Sequence, residues 1–149
     1  MVKTRALREI APDLLDRLKA RFGGFPLVQG WGLSIEAVAP GRAVLSMAPS
    51  AATSNGPEGV VNGGVLATLA DMACAFALST AFDGRMPFAT SDLHIRYLEP
   101  VDARVTIEAA VIRASLRSAV LECKLLCGER VMALCTAHFI IKVRTGEKP

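Results

Sequence analysis

Residues 63–82 read GGVLATLADMACAFALSTAF and carry a single charged side chain, Asp71. Apolar residues surround the helical axis instead of forming one stripe, which is typical of a helix buried on all sides. The run is as long as a membrane span, but a carboxylate near its middle would cost about 3 kcal/mol in a bilayer. We therefore predict a long helix, from about 63 to 81, enclosed by the rest of the domain.

The sequence on both sides of this helix predicts strands. Residues 31–49 alternate apolar and polar positions around Pro40 and Gly41, as in a hairpin, and residues 22–31 are predicted to form a loop. A short amphipathic helix is predicted between Pro12 and Gly23. Turn residues separate four further strands, predicted at 88–98, 103–113, 117–127 and 130–143. The order predicts an α+β fold: an antiparallel sheet wrapped around one long central helix, with a short N-terminal helix.

Composition limits the classes of protein to consider. The 149 residues suit one domain, predicted over 1–149, and a 52% hydrophobic content predicts surface buried against other copies. The net charge is +3, with dispersed basic residues, one Trp and one Tyr, so a nucleic-acid-binding stripe is not expected. Asp13 and Asp16 interrupt the apolar positions near the N-terminus, which argues against a signal peptide. We expect a cytoplasmic protein without membrane insertion.

The four cysteines lie in apolar runs and are interpreted as reduced core residues. Cys123 and Cys127 fall on one predicted strand, about 13 Å apart, which is too far to share a metal ion. We find no G-x-S-x-G nucleophile motif, dinucleotide-binding fingerprint, P-loop or His/Cys metal cluster in the sequence.

Asp71 is the first candidate functional residue. A carboxylate in an apolar helix needs a partner or a solvated cleft, and such groups often do chemistry. Among the side chains three or four residues away along the helix, only that of Thr68 is polar. A structural interpretation, in which Asp71 binds a loop backbone, remains open.

The second candidate is the helix start, Asn62-Gly63-Gly64. Free backbone N–H groups at a helix N-terminus can bind a developing oxyanion, although the same residues could serve as a simple cap. Nine residues separate Asn62 from Asp71, or about 13 Å along a helix. If both act on one substrate, a two-fold dimer must bring the helix start of one copy beside Asp71 of the other.

Three segments together resemble PaaI-like hotdog-fold acyl-CoA thioesterases over roughly residues 22–143. They are GVVNGGVLATLADMA (59–73), ATSDLHIRYLEPV (89–101) and RASLRSAVLECKL (113–125). The resemblance implies a hotdog fold and hydrolysis of acyl-CoA without a metal or organic cofactor. It also implies a homodimer, commonly paired into a homotetramer.

The resemblance also implies roles for individual residues. Asp71 matches the catalytic acid, as nucleophile or general base, and Gly63 matches the backbone donor to the thioester carbonyl. Thr90 matches a hydroxyl that positions the attacking water. Asn62 stands where the family usually has His; its amide can donate a hydrogen bond but cannot transfer a proton near neutral pH. Substrate binding is assigned to Asn55, Gly64, Thr68, Arg117 and Ser118, of which Arg117 and Ser118 match contacts to CoA phosphates and Asn55 lies one residue before the family's loop Asn.

Strand parity makes a further prediction for residues 88–98. Simple alternation puts Ala89, Ser91, Leu93, Ile95 and Tyr97 on one face, and Thr90, Asp92, His94 and Arg96 on the other. Asp92 and His94 are thereby expected to be structural or subunit-facing, and His138 is interpreted as an edge or interface residue.

Two other functions remain open. Asn62 is compatible with a non-catalytic acyl-CoA or fatty-acyl binding module on the same fold. A hotdog hydratase or dehydratase would need a histidine at the site, and neither His94 nor His138 lies in the signature.

Overall fold

The computed structural model describes residues 9–56 and 58–142. The predicted strands and the two predicted helices are all present. The elements are α1 (Leu14–Phe22), α2 (Pro26–Trp31), β1 (Ser34–Ala39), β2 (Arg42–Met47), α3 (Gly63–Ser79, continued by a 3-10 turn at Thr80–Phe82), β3 (Phe88–Tyr97), β4 (Val105–Ala114), β5 (Ser118–Cys127) and β6 (Arg130–Ile141). The last strand was predicted to reach 143, and that position, like residues 1–8 of the predicted domain, lies outside the described residues.

The described strands form one antiparallel sheet in the order β1-β2-β4-β5-β6-β3. Helix α3 connects β2 to β3 and packs across the inner face of the sheet, mainly against β4, β2 and β5. In this strand order β3 lies at one edge of the sheet, next to β6. The predicted α+β arrangement of an antiparallel sheet around one long helix is confirmed.

The core lies between α3 and this inner face. Alternate residues of the central strands point at the helix, and Leu45, Ile107 and Leu125 are fully buried against Leu69 and neighbouring α3 side chains. Burying each such side chain contributes about 1.5–3 kcal/mol. Gly63–Phe82 is apolar enough to span a bilayer, with a mean hydropathy of 1.7, but 67% of its most apolar window is buried inside the fold. The apolar character of this segment is therefore explained by its position in the core.

The structure corrects the predicted loop at residues 22–31, which contains α2. Pro26 occupies the first turn of this helix, and Gly32 ends it with a left-handed φ of 63°. Six residues are too few for a periodic apolar pattern to stand out, so the start and stop residues were the only signals. The predicted turn at Pro40 and Gly41 is confirmed: Gly41 has a φ of 68°, and its N–H donates to Thr80 Oγ1 at 2.8 Å, which ties the hairpin to the end of α3.

The cysteines are all free, and three of them are buried as predicted. Cys123 and Cys135 are cross-strand neighbours, and Cys74 approaches them from α3. Burial, aided by Cys74 and Asp71, raises the pKa of Cys135 to about 12, and a hydrogen bond with Cys74 together with burial raises the pKa of Cys123. Cys123 and Cys135 therefore stay protonated near neutral pH, as expected of core residues. Cys127 is only half-buried.

Candidate active site

Asp71 is half-buried on α3 and faces β3. The hydroxyl of Thr90 donates to Asp71 Oδ1 at 2.6 Å. The other carboxylate oxygen of Asp71, Oδ2, has no hydrogen-bond partner among the described residues. Thr68, the one polar side chain three or four residues away along the helix, does not bond to Asp71; its Oγ1 donates instead to the carbonyl of Gly64, one turn back, at 2.9 Å.

A β-bulge explains why Thr90 can reach Asp71. The pairing of β3 with β6 shifts between Thr90 and Asp92, so Ser91 is an extra residue in the strand. Thr90 lies opposite the buried Phe139 and therefore faces α3, whereas simple alternation put it on the outer face with Asp92. That part of the parity prediction was wrong, and the bulge is the physical reason.

The bulge also moves Ala89, which was predicted to share a face with Leu93: it pairs with the exposed Ile140 and lies on the outer face. Beyond the bulge the predicted pattern holds. Leu93, Ile95 and Tyr97 share the inner face, and Asp92, His94 and Arg96 share the outer face, as predicted. Ser91, the extra residue, bonds to Nδ1 of His138 at 2.6 Å. On the outer face, a depression of about 290 Å³ is lined mainly by His94, Arg96, Glu122, Lys124, Leu134 and Thr136.

Asn62 caps the N-terminus of α3. Its Oδ1 accepts from the N–H of Gly64 at 2.8 Å, and its Nδ2 donates to Asn55 Oδ1 at 2.6 Å. A Cβ on residue 64 would lie 3.0 Å from Asn62 Oδ1, so glycine keeps the cap intact. The structure thus brings the predicted site residues Asn55, Asn62 and Gly64 together, with the Asn62 amide engaged by the loop and the helix.

Gly63 is the first residue of the 17-residue helix α3. Its N–H has no hydrogen-bond partner within 9–56 and 58–142. On the other side of its Cα, the Gly63 carbonyl accepts from the hydroxyl of Tyr97 at 2.5 Å, and the Tyr97 ring lies 3.3 Å from where a Cβ would stand. Gly63 therefore presents a free donor at the positive end of a helix dipole.

Tyr97 is a site residue that sequence reasoning missed. Simple alternation put Tyr97 and Thr90 on different faces of β3, so nothing in the sequence linked Tyr97 to the helix start. The register shift in the structure places both side chains on the inner face. Beside Tyr97 and Gly63 lies an apolar groove of about 330 Å³. Its other walls come from Val61, Leu66, Leu98, Glu99, Pro100 and Val101.

The two parts of the candidate site are separated along α3. Gly63 and Asp71 are eight residues apart, which corresponds to about 12 Å of helix. Each is held to the inner face of β3 by one hydroxyl, from Tyr97 and Thr90 respectively. A single copy of the chain therefore does not bring the Gly63 N–H and the Asp71 carboxylate to one reacting atom.

Arg117 lies in the turn between β4 and β5, and Ser118 is the first residue of β5. Ser115 Oγ accepts from the N–H groups of both residues, at 3.2 and 3.0 Å, which fixes the turn. Ser118 pairs with Ile140, which on its other side pairs with Ala89. The turn is therefore at the same end of the sheet as Thr90, about 10 Å away across two strand spacings. The Arg117 side chain is exposed and makes no hydrogen bond or ion pair with the described residues.

No group of three or more His, Cys, Asp and Glu side chains within the described ranges is arranged to hold a metal ion. The candidate site accordingly consists of a carboxylate, backbone amides, hydroxyls and the Asn55–Asn62 pair. Such a set can polarise a carbonyl and assist attack by water or by the carboxylate itself.

Comparison with protein-family models gives one match, to the thioesterase superfamily, over residues 58–133. The matched segment is about half of the chain and contains Asn62, Gly63, Asp71, Thr90 and Arg117. The chain belongs to the thioesterase superfamily. A search of the curated proteins found no match to this superfamily member.

Solved structures agree with this membership. The PaaI protein of the Escherichia coli phenylacetic acid degradation operon superposes with a TM-score of 0.77 at 22% identity, covering 88% of this chain and 94% of that one. A mutant of the phenylacetic acid degradation protein PaaI from Thermus thermophilus gives 0.70 at 28% identity, covering 80% and 100%. A mutant Staphylococcus aureus thioesterase gives 0.72 at 22% identity, covering 80% and 100%. The fold of this superfamily member is the hotdog fold, and the resemblance to PaaI-like thioesterases is confirmed.

Proposed function

We propose that this protein is an acyl-CoA thioesterase that hydrolyses a thioester to a free acid and CoA at a site shared between two copies. The observation that carries the proposal is that two reactive groups lie far apart on the same helix, α3. An unpaired Gly63 N–H stands at its start, and the carboxylate that Thr90 holds stands about 12 Å further along. Both groups suit thioester hydrolysis, and only a second copy could supply them to one substrate.

The chemistry follows from what each group can do. The Gly63 N–H, strengthened by the helix dipole, would donate to the thioester oxygen as it gains negative charge. Asp71 would attack the carbonyl carbon or take a proton from an attacking water, and both roles stay open. The Thr90 hydroxyl occupies Oδ1 of Asp71 and leaves Oδ2 for this step. The carbon–sulfur bond then breaks, and CoA leaves as its thiolate. If water attacks, this step gives the free acid; if Asp71 attacks, water then hydrolyses the acyl–Asp71 anhydride to the free acid and restores the carboxylate.

The exposed edge of the sheet supports a dimer. β3 is ten residues long, pairs only with β6 among the described strands, and is largely exposed on both faces beyond Phe88. A long open edge is a ready surface for pairing with another strand. Pairing of two β3 edges around a two-fold axis would set the two α3 helices side by side. Exposed Val120, Leu134 and Ile140 on the outer face support a further pairing of dimers into a homotetramer.

The remaining assignments belong to the same proposal. Arg117 and Ser118 would contact the CoA phosphates, and Asn55, Gly64 and Thr68 would shape the substrate-binding side of the helix start. Residues 1–149 would make a single cytoplasmic domain that needs no metal or organic cofactor, inserts into no membrane and binds no nucleic acid.

The test is a panel of short-chain, long-chain and aromatic acyl-CoA substrates, monitored by release of free CoA thiol. The name of the Thermus thermophilus relative links that protein to phenylacetic acid degradation, so phenylacetyl-CoA belongs in the panel. We expect saturable thiol release with at least one acyl group. Saturable binding without thiol release from any of them would contradict the proposal.

A non-catalytic acyl-CoA binding module is the second candidate. It is favoured by Asn62, which cannot transfer a proton near neutral pH and whose amide is already engaged by Asn55 and Gly64. The hydratase or dehydratase alternative has less support. His94 lies on the outer face of the sheet, away from Asp71, and His138 on that face is bonded to Ser91.

A further inference from the structure

Tyr97 is the chain's one tyrosine, and its hydroxyl donates a hydrogen bond to the backbone at the start of α3. It lies at the end of β3 with 48% of its surface exposed, yet its hydroxyl donates to the Gly63 carbonyl at 2.5 Å. A carbonyl in the first turn of a helix can accept this bond as well as its helical one, since the oxygen has two lone pairs. The bond is therefore additional to helix formation, and it joins the edge strand to one particular peptide group.

The position of that peptide group matters because glycine is flexible. Gly63 is followed by Gly64, and glycine has more backbone freedom to lose than any other residue. The peptide before the Gly63 Cα, which carries the free N–H, is fixed by the bond from Leu66 N to Asn62 O at 3.1 Å. In the peptide after it, the Gly64 N–H donates to Asn62 Oδ1 and the Gly63 carbonyl accepts from Tyr97. Both peptide planes that flank the Gly63 Cα are thus held by hydrogen bonds.

The Tyr97 hydroxyl also remains a donor over the working pH range. Partial burial, with a smaller effect of Cys135, raises the pKa of Tyr97 above its ordinary value. The protonated form is the one that donates, so the bond to Gly63 is present at neutral pH and is lost only as the pH rises through that elevated pKa.

We propose that Tyr97 is a positioning residue, whose hydroxyl holds the Gly63 backbone so that its N–H points at the thioester oxygen. The role acts through Gly63, and Tyr97 need not touch the reacting atoms. Its kinetic consequence rests on the proposed thioesterase function, whereas its effect on the order of the helix start does not.

The test is Tyr97→Phe, which keeps the ring against Gly63 and removes only the hydroxyl. Misplacing a catalytic group by about 1 Å can cost about 10²-fold in rate, so we expect kcat to fall roughly 10- to 100-fold with KM nearly unchanged. The matched control is Ser79→Ala, which removes a hydroxyl that donates to the Phe76 carbonyl at 2.7 Å at the other end of α3. This control should leave kcat unchanged.

A second readout does not depend on activity. In Tyr97→Phe, the NMR order parameter of the Gly63 N–H should fall below about 0.85, the value typical of rigid backbone. In Ser79→Ala it should stay at that rigid-backbone value. An unchanged kcat, a rise in KM alone, or an unchanged order parameter at Gly63 would overturn the positioning role. If the wild type releases no thiol from any acyl-CoA, the proposed function fails, while the order parameter still decides the role of Tyr97.

Discussion

Replacing Asp71 with asparagine should lower the rate of CoA release about 10³-fold, the size of effect expected when a general base is lost. Asparagine has nearly the same shape and can still accept the Thr90 hydroxyl bond, so the position of the side chain should be kept. What disappears is the ability to attack the carbonyl or to take a proton. We expect KM to change little, because the substrate contacts remain. Steady-state thiol release over the acyl-CoA panel measures both constants.

The matched control is Asp92→Asn, which makes the same change in charge on the outer face of β3. It should keep wild-type turnover. Both variants should melt within about 4 °C of the wild type, the shift that roughly 1 kcal/mol causes in a chain of this size. Wild-type-like turnover in Asp71→Asn, with the panel substrate that the wild type hydrolyses best, would contradict the catalytic role of this carboxylate.

The second large effect is expected at Gly63, from a pair of variants that both add a Cβ and of which only one keeps the backbone N–H. Gly63→Pro removes the backbone N–H, and we expect a loss of about 10²–10³ in kcat, as for loss of one oxyanion donor in other enzymes. Proline suits this position, because it is favoured at the first residue of a helix. Asn62 before it has a ψ of 136°, within the range that a following proline requires.

Gly63→Ala distinguishes the effect of losing the N–H from the effect of adding a side chain at this position. Alanine introduces the same Cβ, 3.3 Å from the Tyr97 ring, but keeps the donor. Circular dichroism and melting temperature should be similar for the two variants, and kcat should be much lower for proline. Equal kcat values for the proline and alanine variants would mean that the Gly63 N–H takes no part in the reaction.

The fold was accessible from sequence because its main signals are local. The apolar segment 63–82 could only be a core helix or a membrane span, and the strands after it are marked by alternation and turn residues. Helix α2 was missed because six residues give no periodicity. The order of the strands in the sheet, with β3 at the edge, depends on long-range pairing, and no local pattern in the sequence reports it.

The candidate site was predictable only in part. Asp71 and Gly63 were identifiable because a carboxylate in an apolar helix and a glycine pair at a helix start are both unusual. Their partners were not, since a bulge of one residue reverses the face of everything on one side of it. Thr90 entered only through the resemblance, and Tyr97 did not enter at all. A bulge has no sequence signature here, because Ser91 is an ordinary strand residue.

The site shared between two copies is tested most directly by mixing the two inactive variants. Co-expression with different affinity tags would yield heterodimers that carry Asp71→Asn in one copy and Gly63→Pro in the other. One of their two sites would combine both changes, and the other would have a normal Asp71 facing a normal Gly63. We predict that these heterodimers hydrolyse acyl-CoA at about half the wild-type rate, although both parent homodimers are nearly inactive. Heterodimers as inactive as their parents would contradict a site built from two chains.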